Sequence, residues 1–269
     1  MIIDVWMQHP TLPMLQHEMF ESLWRWTGVS SPTEEIALET TLQAYRTAGV
    51  AVGLAAAWCG PMGWLIGNDQ AADFAARSDG LLRPVASADL RKPMEAVREL
   101  RRAVRQLGCV ALRLVPWLWE LPPNDRRYYP LYAECCELDI PFCTQVGHTG
   151  PMLPSEPGRP IPYLDQVAHD FPELRIVAGH IGVPWLQEIL SLARKYPNLY
   201  IDTSAYAANR YPPELVAYMQ GSGRRKVMFG TNYPMLTPAR CLAELRSLAL
   251  DEEASRLFLA DNARAVFKL

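Results

Sequence analysis

The chain has 269 residues, and 26 Lys and Arg against 29 Asp and Glu give a formal charge of −3. A composition 49% hydrophobic and 20% charged is that of a globular protein and excludes a disordered chain, while the near-neutral balance offers no basic footprint for nucleic acid. No apolar run approaches the ~18 residues of a membrane span, and Met1-Ile2-Ile3-Asp4 lacks the marks of a secretory signal, so a cytoplasmic protein with no membrane partner is expected.

From the first residue onward, β-rich runs alternate with stretches of helical period. The expected strands are residues 2–7, 50–57, 82–88, 110–115, 141–146, 175–179, 199–203 and 226–230. The expected helices are 34–48, 64–76, 93–107, 128–138, 162–171, 184–195, 213–219 and 238–248, with a closing one at 251–267. Several open on Pro, whose missing N–H is harmless in a first helical turn. Most strand runs are continuously apolar, as in Val50-Ala51-Val52-Gly53-Leu54-Ala55-Ala56-Ala57, the pattern of a parallel strand covered on both faces. Eight strands in such alternation predict an α/β fold, a single-domain (β/α)8 TIM barrel over residues 1–269. No Gly-x-Gly-x-x-Gly follows the first strand and no Gly-Lys-Ser/Thr loop occurs, which argues against dinucleotide and phosphate-loop chemistry. The six cysteines are scattered without metal-type spacing and read as small core residues.

A barrel of this kind carries its chemistry at the carboxyl ends of its strands. Arg113 shares an alternating face with Ala111, so it is expected to enter the barrel mouth and bind a substrate carboxylate, or a fixed one such as Glu120. Trp117, in an aromatic loop, is expected to wall a pocket for a flat or cyclic compound or to serve a subunit interface. Tyr206 and Arg210 follow the seventh strand, and His148 follows the fifth; all three are placed to line the same mouth. The Pro- and Gly-rich stretch 150–162 reads as a semi-rigid rim.

Several segments at these strand ends resemble the amidohydrolase-related family to which aminocarboxymuconate semialdehyde decarboxylase belongs. Ile3-Asp4-Val5 resembles the start of its Ile-Asp-x-His-x-His, and the run from Phe171 to Gly182 its Phe-Pro-x-Leu-x-Ile…His-x-Gly. Asn198 to Ser204 resembles its seventh strand, Phe229-Gly230-Thr231-Asn232-Tyr233-Pro234 its Phe-Gly-Ser-Asp-Tyr-Pro, and Asn262-Ala263 a pair near its end. The resemblance implies a divalent metal held by two first-strand His, a His ending strand five and an Asp ending strand eight. Those positions are here Trp6, Gln8, Gln145 and Asn232. An indole has no lone pair to give, and neutral amides bring no charge to offset a dication. A site without metal or cofactor is therefore expected, with a displaced ligand set of His9, His148 and His180 plus Asp4 or Asp202 as the alternative.

The family's proton-moving His corresponds to His180, expected here to act as general acid or base. Asp202 would orient it or act as a base itself, and Asp4 matches a packing carboxylate. Gln8, Gln145 and Asn232 would donate hydrogen bonds to a developing oxyanion. The resulting expectation is a metal-independent hydrolase, possible as a homodimer, for a small carboxylated or enolic cyclic substrate, a lactone or vinylogous diketone. A metal-independent lyase or isomerase and a ligand-binding barrel without activity are the alternatives.

Overall fold

A computed structural model describes residues 1–28 and 30–269, with Thr27 described by its backbone only. Its eight barrel strands are β1 (Ile3–Met7), β2 (Val52–Ala56), β3 (Leu82–Val85), β4 (Leu112–Leu114), β5 (Phe142–Gln145), β6 (Ile176–Gly179), β7 (Leu199–Asp202) and β8 (Val227–Met228). All neighbours pair in parallel, from β1 to β3 and from β4 to β8. Two seams close the cylinder. Ala86 N–H donates to Ala111 O and Arg113 N–H to Ala86 O, both at 2.8 Å, joining β3 to β4. Val5 N–H donates to Phe229 O at 3.0 Å and Asn232 N–H to Trp6 O at 2.8 Å, joining β8 to β1. The chain is therefore a (β/α)8 barrel, as its alternating pattern predicts.

Strand alternation divides the side chains between two environments. Leu112, Leu114, Phe142, Ile176, Ala178 and Ile201 pack in one apolar layer with helix residues such as Leu100, Leu131 and Ile189. Ala111, Val115, Cys143, Val177 and Met228 fill the barrel with Trp6. The pairing of β1 with β2 slips in register between Asp4 and Met7. Asp4 there turns to Tyr45 on the helix Leu38–Thr47, while Trp6 lies over Arg113 of β4.

Three departures from the sequence pattern bear on the site. Residues 64–76, expected as one helix, divide into a strand (Gly63–Ile66) antiparallel to Trp58–Gly60 and a helix (Asn68–Ala76). Gly63, at φ +103°, takes a conformation that side chains disfavour, and Trp64-Leu65-Ile66 suits a strand. Residues 238–248, also expected as one helix, break after Leu242 and resume as a 3₁₀ turn at Leu245–Leu248. Between β1 and its helix, the short helices Leu12–Leu15, Glu18–Phe20 and Glu21–Thr27 supply Met14, Phe20, Leu23 and Trp26 to the wall of the barrel-mouth cavity. They seat against the loop after β5, where Ser22 Oγ donates to Gly150 O at 2.8 Å. A Cβ on Gly150 would lie 2.8 Å from Leu23 Cδ2, so a larger residue there would require the Leu23 side chain to shift.

Candidate active site

At the carboxyl ends of the strands lies a cavity of about 330 Å³, of the size that takes a small cyclic molecule. Its wall is aromatic and aliphatic: Trp6, Trp26, Trp58, Trp117, Phe20, Tyr206 and Met235 among others. Polar groups enter at Gln8, Gln145, His148, His180 and Asn232. Seven of the expected site residues therefore meet at one cavity: Gln8, Trp117, Gln145, His148, His180, Tyr206 and Asn232.

Two do not. Arg113 is 1% exposed, and its guanidinium lies 4.1 Å from the centre of the Trp6 ring, beneath the cavity floor. It donates to Met7 O at 3.1 Å and to Val5 O at 3.2 Å, and Glu120 is exposed. The expectation that Arg113 binds a substrate carboxylate is corrected by the indole above it. Burial lowers its pKa to about 10, still leaving it cationic near neutrality. Arg210 closes a 3₁₀ turn, Ala208–Arg210, with its side chain exposed and outside the cavity wall.

Of the four positions where the family resemblance implies metal ligands, Gln8 and Asn232 bond each other, Gln145 bonds other cavity residues, and Trp6 Nε1 has no hydrogen-bond partner among the described residues. Gln8 Oε1 accepts from Trp58 Nε1 at 3.2 Å, and its Nε2 donates to Tyr233 O and, at 3.4 Å, to Asn232 Oδ1. Gln145 Oε1 accepts from Trp117 Nε1 at 2.7 Å, and its Nε2 donates to His148 O at 3.3 Å. Each glutamine thus fixes a tryptophan of the cavity wall. Both amide hydrogens of Gln8 are engaged, so its expected part as an oxyanion donor is withdrawn. Gln145 retains one amide hydrogen, and Asn232 Nδ2 has no hydrogen-bond partner among the described residues.

This donor set does not fit a divalent metal. Trp6 brings a pyrrole-type N–H, and three neutral amides bring no charge. Among the described residues, no three His, Cys, Asp or Glu side chains converge. The displaced set is separated as well: His9 Nδ1 meets Thr41 Oγ1 at 2.8 Å with its ring against Phe74, whereas His148 sits exposed at the rim.

His180 is the buried titratable group of the cavity, 8% exposed and edge-on to Trp6 at 5.1 Å. It follows β6 at φ +72°, with Ile181 at +50°; left-handed backbone in bulky residues is strain of the kind that gathers at functional sites. Nδ1 lies 2.7 Å from Ser204 Oγ, and Ser204 Oγ in turn bonds Asp202 Oδ1. Burial, then the charges of Arg113 and His148, lower the His180 pKa to about 3, so the imidazole is neutral over the physiological range.

Asp202 is fully buried. Its Oδ1 also accepts from Ser204 N–H at 2.9 Å, while Oδ2 has no hydrogen-bond partner among the described residues. Burial raises its pKa against the lowering by Ser204, Arg113 and the His180 backbone. Gly179 and Gly230 flank the carboxylate. A Cβ on either would lie 3.0 Å from one of its oxygens, and one on Gly179 would also press on Trp6 at 2.7 Å. Sequence reasoning missed Ser204, although an Asp followed two residues later by a Ser is the pattern of a turn in which the carboxylate receives both groups of the Ser.

The amidohydrolase family profile matches residues 33–269. The chain belongs to that family. It is 27% identical over 255 residues to gamma-resorcylate decarboxylase of Rhodococcus jostii (strain RHA1), spanning 75% of each protein. It superposes with a TM-score of 0.84 and 25% identity on an uncharacterised TIM-barrel protein from Bordetella bronchiseptica, covering 99% of this chain and 98% of that one. A TM-score of 0.69 at 16% identity relates it in fold to a probable 2-pyrone-4,6-dicarboxylic acid hydrolase from Acinetobacter baumannii, covering 100% of this chain and 99% of that one. This amidohydrolase-family chain is of an enzyme superfamily, and its barrel is shared with both lyases and hydrolases.

Proposed function

We propose that this protein is a metal-independent hydrolase of flat, uncharged cyclic compounds bearing an activated carbonyl, such as lactones or vinylogous diketones. The observation that carries this reading is a neutral His180, bonded through Nδ1 to Ser204, that lines one aromatic cavity together with Asn232, whose Nδ2 is unpaired among the described residues. His180 Nε2 takes the proton of a water as that water attacks the carbonyl carbon. Asn232 Nδ2 and the remaining amide hydrogen of Gln145 receive the oxyanion that forms. General-base help of about 10²–10⁴-fold suffices only where the carbonyl is already reactive, and an oxyanion donor adds about 10²–10³. The tryptophan walls favour a planar ring. With Arg113 under Trp6, no fixed cation awaits a carboxylate on the floor, so the substrate class narrows to uncharged rings.

A decarboxylase is the second reading, favoured by the sequence likeness to gamma-resorcylate decarboxylase. The deciding experiment incubates chelator-treated, metal-assayed protein with lactones, vinylogous diketones and aromatic carboxylic acids in H₂¹⁸O. Ring or C–C cleavage with ¹⁸O in the product supports the hydrolase. Release of CO₂ from an aromatic acid without ¹⁸O in the organic product establishes the lyase, and turnover that returns only with added zinc or manganese overturns the metal-independent mechanism.

A further inference from the structure

We propose that Asp202, Ser204 and His180 form a proton relay in which Asp202 is the terminal base, Ser204 the bridge and His180 the end that faces the cavity. The inference rests on the functional reading above only in taking His180 as the group that meets substrate. It follows from counting protons. A serine has a single O–H. Ser204 Oγ lies between two acceptor-capable groups, Asp202 Oδ1 and His180 Nδ1, and an ionised carboxylate has no hydrogen to give. Ser204 therefore donates to Asp202 and accepts from His180, which places the ring proton on Nδ1. Nε2, whose state is set by the bond its partner nitrogen makes, carries a free lone pair toward the cavity.

When Nε2 takes a proton from water, Nδ1 passes its proton to Ser204 Oγ, and Ser204 passes its own to Asp202 Oδ1. At His180 and at Ser204 one bond to hydrogen breaks and one forms, while the water loses an O–H bond and Asp202 gains one. The imidazole ends neutral with its proton on Nε2, ready to return it to a leaving group, and the charge lost is that of the carboxylate. This resolves a conflict within the site. The position penalises a charged imidazole, so a lone His180 would be a feeble base. The same burial makes Asp202 a stronger base than an ordinary carboxylate, and among the described residues its Oδ2 has no hydrogen-bond donor to stabilise the ion.

The neighbouring titratable groups leave this direction intact. Cys143 from β5, pushed up to about 12, and Tyr211 beyond β7 are held protonated by burial. His148 stands at the exposed rim, and Arg113 from β4 is the fixed charge that favours the resting carboxylate. Ser204 is thus a positioning residue, and Asp202 acts through it.

The test needs two readouts. In ¹⁵N NMR of substrate-free, histidine-labelled protein near neutral pH, His180 is expected to be protonated at Nδ1 and bare at Nε2. Ser204→Ala should lose this preference. Asp202→Asn should keep it, because Ser204 N–H still requires an oxygen opposite it. Observation of the reverse tautomer in the wild type overturns the relay whether or not any substrate is turned over. Kinetically, both variants are expected to lower kcat about 100-fold or more with KM unchanged, and Ser204→Thr to restore part of it. A plot of kcat against solvent deuterium fraction should be curved in the wild type and straight in Ser204→Ala. If Asp202→Asn keeps both its tautomer and its kcat, Asp202 merely orients the ring and the relay is wrong. If the tautomers are as expected but no substrate is turned over, the functional reading fails and the relay geometry stands.

Discussion

Two buried carboxylates flank β8 of this barrel, Asp4 on β1 and Asp202 on β7, and they are treated differently. At the β8–β1 seam, Asp4 accepts from Trp6 N–H and Thr231 N–H at 3.0 Å and from the Thr231 and Tyr45 hydroxyls at 2.6 Å. Both its oxygens are occupied, and it lies outside the cavity wall. At the β6–β7 corner, the hydrogen bonds that Asp202 accepts among the described residues fall on Oδ1, and its line of contacts leads through Ser204 to the cavity. Full satisfaction is what a buried carboxylate needs to act as a fastener. A half-satisfied one is a local energetic deficit, which a fold retains where the carboxylate's proton affinity is used. Position in the sequence does not reveal this difference, since both residues lie on barrel strands.

The most severe way to break the functional side is to remove the ring at the end of the chain. His180→Asn is expected to lower kcat by about 10³-fold while leaving KM nearly unchanged, and it keeps a residue that tolerates the left-handed backbone at φ +72°. Steady-state kinetics on the substrate found by the isotope assay would decide. An unaltered kcat would remove His180 from the chemistry.

The sharper comparison is a matched pair. Asp4→Asn leaves four donors facing an amide that cannot accept them all, so a stability loss of about 3 kcal/mol is expected with kcat per folded molecule preserved. Asp202→Asn is expected to do the opposite: little change in the urea midpoint, because a partly unpaired buried ion becomes a neutral amide, and a large fall in kcat. Equal stability losses in the two variants would mean that the difference in hydrogen bonding has no energetic content.

Acid response provides a third contrast, with opposite signs. His180 has a folded pKa near 3, below its unfolded value of 6.5. Its contribution is intact above the unfolded value and lost on acidification toward the folded one, by up to about 4 kcal/mol. Asp4 is raised by burial to about 6. For this acid the folded state holds its proton longer, so stability is greatest below the unfolded pKa and falls by about 3 kcal/mol as pH rises from about 4 to about 6. Urea unfolding across that window should therefore show a shallow net slope in the wild type. In His180→Asn stability should fall with rising pH, and in Asp4→Asn it should rise.

Much of the fold was legible because it rests on a repeated local pattern. Eight apolar runs such as 50–57 can bury both faces only under helices, and the barrel follows. The cavity lining was legible where a residue ends a strand, as at Gln8, Gln145, His180 and Asn232. Strand ends do not reveal what lies on top of them. The roof at 12–28 comes from a stretch whose length alone was a warning, since long structureless loops are uncommon in compact domains. Ser204 escaped because its role depends on His180, which is 24 residues away in sequence and 2.7 Å away in space.

Arg113 was misread for a related reason. Alternation correctly turned its side chain into the barrel, but the register slip in β1 brings the Trp6 ring across it. Substitution by methionine at this position distinguishes the two readings with the smallest expected effect. A substrate-binding guanidinium would raise KM by orders of magnitude when lost, because a buried charge-assisted bond contributes about 2–3 kcal/mol. A guanidinium sealed under an indole, with its hydrogen bonds among the described residues going to Val5 O and Met7 O, should behave otherwise. Arg113→Met is expected to leave KM nearly unchanged. Its stability should move by about 1 kcal/mol or less, because a well-packed apolar replacement escapes the desolvation of a buried cation while two carbonyls lose their donor. The effect that should survive is electrostatic: with the cation gone, Asp202 becomes a stronger base still, and any pH limb belonging to it should move upward. A KM that climbs steeply for carboxylate-bearing compounds would place the guanidinium back within reach of substrate.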